Sequence, residues 1–260
     1  MDCEVLLPHI SRRGQNMLRA MVGAAPEVGV RCNVVQAYMG SSSLLMSYGL
    51  GHLERRRLTE AHVANGGRLI GWDMGYWNRQ VAMRCTVDQG HPHLWMRNMP
   101  GDRWEQAGIA LRNDWSMKGP IVLIGMGVKS RKQFGFQGQE WELRTLAAIR
   151  AVTKREVLYR PKKPERLERC RNAEGPIEQA LRSASLVVCR HSNVAVDACI
   201  AGIPVVCEDG AAAALYGSDL ACPVNPSDAE RLRFLQNLAY WQWTPSEAVQ
   251  AWRFLLKVCA

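Results

Sequence analysis

Nothing in the sequence is long and apolar enough to cross a bilayer. No run approaches the ~18 uncharged apolar residues that a spanning helix needs. Cysteine occurs nine times, yet no Cys-x-x-Cys pair appears, and the wide spacings suit neither a zinc site nor a compact disulfide framework. The Gly-x-x-x-x-Gly-Lys-Ser/Thr phosphate loop is missing, and so are the Gly-x-Ser-x-Gly nucleophile elbow and a readable Cys/His pair for covalent catalysis. His91-Pro-His93 has no acidic or cysteine partner at ligand spacing, so no metal is expected. Met1-Asp2-Cys3-Glu4 lacks the basic start and apolar stretch of a secretion signal, and the unpaired thiols suit a reducing compartment; a soluble cytoplasmic protein without a membrane partner is expected.

What is present is an ordinary globular composition. Of 260 residues, 47% are hydrophobic and 22% charged, enough to bury a full core and unlike a disordered chain, a collagen or a coiled coil. Acidic residues are outnumbered, 24 to 33, for a net charge of +9. The excess is uneven: residues 129–171 hold 13 Lys or Arg against 5 Asp or Glu. Such a stretch is either a solvated basic face or a surface for an anion, whether the phosphates of a small ligand or a nucleic-acid backbone.

Elements are clearest after residue 118. Ile121–Gly125, Glu156–Tyr159, Leu186–Cys189 and Ile203–Cys207 are short apolar runs rich in branched residues, and read as buried strands. Between them, Gln139–Thr153, Pro176–Ser183 and Asn193–Ala201 carry helical spacing, the last closed by Gly202. Helices at Ser227–Tyr240 and Pro245–Cys259 finish the chain. Alternating strands and helices predict an α/β fold with a parallel sheet. Before residue 118 the same pattern is vaguer, with strands at 3–7, 31–35 and 68–72 and a helix at 14–22. Residues 83–117 show no clear period. Two α/β domains, 1–117 and 118–260, are expected.

Three strand ends on the second half carry chemistry. Leu186-Val-Val-Cys189 runs into Arg190-His191-Ser192-Asn193 and then directly into a helix, whose free N–H groups and dipole favour an anion. Ser192 or Asn193 can cap that helix, or touch a ligand as well, and Asp197 one turn on can accept hydrogen bonds from ribose hydroxyls or be a plain surface residue. Gly125-Met-Gly127-Val-Lys129-Ser130 follows the first strand; it is either a tight turn or a place where bare backbone and Lys129 approach a phosphate. Arg160, ending the second strand, adds a cation on the same rim. Open parallel sheets bind ligands at these carboxyl ends.

In the first half, Gly71-Trp-Asp73-Met-Gly-Tyr-Trp77 sets a carboxylate among aromatics in a glycine-bounded loop. It is either a turn with packing aromatics or a general base whose desolvation lifts its pKa. His9, after the first strand, and Asp88 are rival bases. Arg55-Arg-Arg57 reads as a solvated helix face, and Trp241 with Trp243 as packing at a helix end.

His191-Ser-Asn-Val-Ala-Val-Asp197 followed by Ala201-Gly-Ile-Pro-Val205 resembles the donor-binding domain of GT-B-fold glycosyltransferases, with Asp197 where that family usually has Glu. The resemblance covers about residues 119–258. It implies two Rossmann-like domains with parallel sheets facing across a cleft, the first on the acceptor side and the second binding the nucleotide sugar. It further implies a metal-independent hexosyltransferase with no tightly bound cofactor and a UDP-sugar as donor substrate. Gly127, Lys129, Ser130, Arg160, His191, Ser192 and Asn193 would hold the diphosphate, Asp197 the ribose, and Asp73 or His9 would serve as base. Size, basic character and the aromatic-rich middle more loosely resemble the viral enzymes that glycosylate hydroxymethylated DNA bases, which implies DNA as acceptor, 5-hydroxymethylcytosine among its bases, and a host-cell cytoplasm. A sugar-nucleotide epimerase, a glycan-directed transferase and a non-catalytic nucleic-acid-binding protein are the alternatives.

Overall fold

A computed structural model describes residues 1–7, 11–92 and 96–259. The chain forms two compact units, Met1–Met99 with Asn237–Ala260, and Pro100–Gln236.

The first unit contains β1 (Asp2–Leu6), α1 (Arg12–Ala24), β2 (Arg31–Val35), β3 (Leu44–Tyr48), α2 (Leu53–Ala64), β4 (Arg68–Met74) and β5 (Met83–Val87). Its six-stranded sheet is completed from the far end of the chain by a short strand, Gln242–Trp243. β2, β1, β3 and β4 run parallel, and β5 joins β4 antiparallel. Side chains alternate between two faces, as a pleated strand requires. Val5, Met46, Ile70 and Trp72 enter one buried cluster, and Leu6, Leu45 and Leu69 another. α1 forms where Ser11 Oγ accepts from Gly14 N at 3.3 Å, and it buries Met17, Leu18 and Met21.

The second unit begins with α3 (Asp102–Ala107) and builds a five-stranded sheet from β6 (Ile121–Ile124), β7 (Val157–Arg160), β8 (Arg171–Asn172), β9 (Leu186–Cys189) and β10 (Val205–Cys207), ordered β10-β9-β6-β7-β8 and parallel throughout. All four residues of β6 and of β9 are buried, which is why they read as unbroken apolar runs. The helices are α4 (Val128–Gln133), α5 (Glu140–Val152), α6 (Ile177–Arg182), α7 (Val194–Ala201), α8 (Ala213–Tyr216) and α9 (Asp228–Ala239). Cys189, Cys199 and Cys207 are buried as small apolar side chains, and burial pushes the Cys189 and Cys199 thiols up to about 11. No helix among the described residues is long and apolar enough to cross a membrane.

Two expectations about domain organisation are corrected. The division falls at residues 99/100 rather than 117/118. The later part of the aperiodic stretch, from Pro100 to β6, belongs to the second unit, where Arg112 N and Asp114 N donate to Ile200 O and Ala201 O and Trp115 Nε1 donates to Ser185 O. The buried Arg231 fastens it further through Arg112 O, Asn113 Oδ1 and Cys199 O. The last helix, α10 (Ala248–Cys259), returns to the first unit, where Trp252 and Leu255 join Met17, Leu18 and Met21 in one core and Trp252 Nε1 donates to Met21 O at 2.7 Å. Trp241 and Trp243 pack in that core as well. Trp252→Ala should therefore destabilise the first unit by about 3–5 kcal/mol, the range for emptying a buried tryptophan site. Urea denaturation followed by circular dichroism checks this; an unchanged midpoint would detach α10 from that core.

Candidate anion-binding site at the strand ends of the second unit

β6 and β9 lie side by side in the sheet, so their carboxyl ends deliver two turns to the same edge. The first, Gly125-Met126-Gly127, opens α4; the second, 190–193, opens α7. They meet directly: Ser130 Oγ and His191 Nε2 are 3.1 Å apart. Ser192 Oγ accepts from Val194 N, the first N–H of α7, at 3.3 Å, while Asn193 holds the N-cap position without a capping bond from its side chain. His191, Ser192, Asn193 and Asp197 are all half-buried, and Asp197 stands in the first turn of α7. The loop after β10 backs the turn, with Asp209 N donating to Arg190 O at 2.7 Å and Gly210 (φ +95°) lying against the His191 backbone. That left-handed φ and the closeness of His191 make Gly210 the residue the turn requires.

The β6 turn is fixed from beneath. Glu142 on α5 has no exposure, and its Oε1 accepts from Met126 N at 2.8 Å and from Arg131 Nη2 at 2.6 Å. Arg131 on α4 also donates to Glu165, whose Oε1 accepts from Tyr159 Oη at 2.8 Å. Glu165 is held below the usual carboxylate range, first by Arg131 and then by Tyr159. Glu142 does not stand out in the sequence, and Arg131 falls only within the basic stretch; pairing across elements is invisible to local pattern. Equally unforeseen, Arg190 lies over the Phe134 ring, 3.7 Å from its centroid, and pairs with Glu208 at 3.4 Å.

Lys129 is exposed at the start of α4, and Gly127 and Ser130 are half-buried beside it. Arg160 sits as expected at the end of β7, yet its guanidinium donates to Ala173 O at 3.2 Å and to Gly175 O, toward the β8 side. Other charges of the basic stretch are also committed within the unit: Arg131 to Glu142 and Glu165, Arg150 to Arg169 O, Arg171 to Glu156. The stretch is therefore not one uncommitted polyanion surface.

In the first unit, Asp73 lies inside β4 rather than in a loop, because β5 pairs with it antiparallel and sets Asp73 opposite Arg84. Asp73 Oδ1 accepts from Met74 N at 2.7 Å, and Oδ2 stands 3.3 Å from Arg84 Nη2. Burial would lower the pKa of Arg84, but Asp73 and Tyr76 outweigh it and raise it. The Tyr76 hydroxyl, fully buried beside Arg84, is pushed up to about 12. Arg84 also donates to His91 Nδ1 at 3.2 Å. Arg55 is not a solvated side chain: it donates to Tyr48 O and Gly49 O at the end of β3 and feels the Asp73 charge. Asp88 belongs to the opposite end of β4 from Asp73, accepting from Leu69 N and pairing with Arg68 at 2.7 Å. His9 lies outside the described residues. Among the described residues no group of three His, Cys, Asp or Glu side chains gathers to hold a metal ion.

Neither a protein-family model nor a curated protein sequence matches the chain. Solved structures match it along nearly its whole length, two with a TM-score above 0.5 among them. The Thermosulfurimonas dismutans KpsC beta Kdo 2,7 transferase superposes with a TM-score of 0.54 at 15% identity, covering 99% of this chain and 100% of that one. The beta Kdo 2,4 transferase of the same KpsC gives 0.55 at 11% identity, covering 95% and 94%. The chain shares its overall fold with these two proteins. That fold is α/β, with a mainly parallel sheet in the first unit and a fully parallel one in the second.

The glycines of the β6 turn separate structural from functional need. A methyl group on Gly125 would stand 2.3 Å from Tyr159 Oη, whereas one on Gly127 would meet nothing nearer than Lys162 Cδ at 3.8 Å, and Gly127 has φ −79°. Gly125→Ala should destabilise the unit by about 1–3 kcal/mol through overpacking. Gly127→Ala should leave the melting temperature within about 2 °C, yet weaken UDP binding if bare backbone is needed for phosphate approach. Melting curves and calorimetric titration of both variants check this; equal stability losses would make Gly127 structural.

Proposed function

We propose that the chain is a glycosyltransferase that moves a sugar from a nucleoside-diphosphate donor, a UDP-sugar, to a hydroxyl acceptor. The observation that carries this reading is the meeting of the β6 and β9 turns at Ser130 and His191, at the opening of α7, on a fold shared with two sugar transferases. In this reading the backbone at Gly127, with Lys129, Ser130, His191, Ser192 and Asn193, receives the diphosphate, and Asp197 receives the ribose. Positive charge and oriented N–H groups aimed at the departing diphosphate stabilise the charge that develops as the sugar leaves. The donor charge is balanced without a metal ion. Asp73 is the proposed base that takes the acceptor's proton, with Arg84 orienting its carboxylate; His9 remains the rival.

For the acceptor we propose a 5-hydroxymethyl pyrimidine in DNA, for which the net charge of +9 is the support. A duplex base would have to leave the stack to react. A second reading, transfer to a hydroxyl of a glycan, draws support from the two fold neighbours, both named as Kdo transferases.

One experiment tests the reading. The protein is incubated with a panel of labelled nucleoside mono- and diphosphate sugars and with hydroxymethylated DNA, plain DNA or glycan acceptors, and products are read by mass spectrometry. Transfer from a UDP-sugar is expected in wild type, undiminished by excess chelator, and abolished in Asp73→Asn, whose UDP affinity stays within a fewfold. Tight, salt-sensitive DNA binding with no turnover of any sugar nucleotide would replace the transferase with a nucleic-acid-binding protein.

A further inference from the structure

We infer that Lys162, and not Arg160, is the β7-side cation that faces the donor's phosphates. The inference rests on the proposed reading of the β6 and β9 turns as the phosphate site. Arg160 leaves β7 with its guanidinium bonded to the carbonyls of Ala173 and Gly175, which turns its charge toward the outer strand β8. Pro161 then ends the strand, and the next side chain crosses the other way. The Lys162 stem passes over the turn after β6, its Cδ 3.8 Å from a methyl group placed on Gly127. Its charge is also felt at Cys189, the last residue of β9, where it opposes the larger effect of burial on that thiol. A cation whose stem lies over the end of β6 and whose field reaches the end of β9 stands at the edge where Ser130 meets His191.

The backbone that carries Lys162 is held on both sides. Upstream, Arg160 O accepts from Gly125 N at 2.9 Å, tying the end of β7 to the very turn Lys162 covers. Downstream, the Glu165 carboxylate is bound by Arg131 and Tyr159, and Glu165 O accepts from Asn172 Nδ2 at 2.9 Å. The anchor is thus shared with the network that fixes Met126. Over this short fixed bridge, a lysine offers a compact charge on a flexible stem. Lys162 and Lys163 are both exposed, so the neighbour supplies the natural comparison for a charge at the same depth.

The test is calorimetric titration of UDP, and separately of uridine, into wild type, Lys162→Ala, Lys162→Arg and Lys163→Ala, each first shown by circular dichroism to melt as wild type does. Loss of one charge-assisted contact predicts UDP affinity lowered roughly tenfold or more in Lys162→Ala, with partial rescue in Lys162→Arg. Lys163→Ala should stay within about twofold, the scale of a solvent-screened charge, and uridine affinity should not move in any variant. Equal weakening by Lys162→Ala and Lys163→Ala would reduce the effect to bulk charge and overturn the inference while leaving the donor site standing. A wild type that binds UDP no better than uridine would remove the phosphate site itself, and the role of Lys162 with it.

Discussion

Glu142 is a carboxylate with no access to water, and the candidate site depends on what surrounds it. An isolated charge in that position would be prohibitive; Arg131 and the Met126 N–H make it tolerable. Buried ion pairs of this kind add little net stability, but removing one partner typically costs about 3–5 kcal/mol. Their value lies in geometry. Glu142 fixes the turn after β6 and α4 together, and Ser130, the residue before Arg131, is thereby set against His191. Glu165 extends the same network to the segment after β7. One buried carboxylate thus coordinates the strand ends of β6 and β7, and through Ser130 the end of β9.

The first unit uses a related device for a different residue. Arg84 is drawn into the sheet by the antiparallel pairing of β5 with β4 and meets Asp73 and Tyr76 there. The carboxylate is therefore oriented by a cation rather than left among aromatics. Its pairing with Arg84 narrows what Asp73 can do: it is a preoriented oxygen acceptor, not an isolated acid in an apolar pocket. Asp88 and Arg68 show the contrast, since the same pair of residue types at the other end of β4 only ties Leu69 and the strand start together.

What the sequence reveals and what it hides follow from where the contacts run. β6 and β9 are legible because central parallel strands buried on both faces read as continuous branched apolar runs; the edge strand β10 is legible because it too is buried throughout, and β7 because its buried and half-buried residues alternate. α7 is delimited by the polar turn before it and by Gly202 (φ +77°) after it. β3 and β5 escape: Ser41 to Ser43 precede the first and Arg84 interrupts the second, so neither shows clean alternation, and each has a partner far along the chain, β1 for β3 and Gln242–Trp243 for β5. The assignment of α10 fails for the same reason, since adjacency in sequence does not reveal that Trp252 packs on Met21. At the site, residue types and strand ends are readable, but the direction of a side chain is not. After Pro161, spacing alone cannot tell that Arg160 turns toward β8 while Lys162 turns toward Gly127.

The claim on which the account stands is that the turns after β6 and β9 together receive a diphosphate. Hydrogen–deuterium exchange with and without saturating UDP addresses it most directly, because the backbone amides themselves are the proposed ligands. The account predicts slowed exchange concentrated in peptides covering 125–131 and 189–196, with the strands β8 and β5 unchanged. Protection elsewhere, or none at all under conditions where UDP is shown to bind, would contradict it.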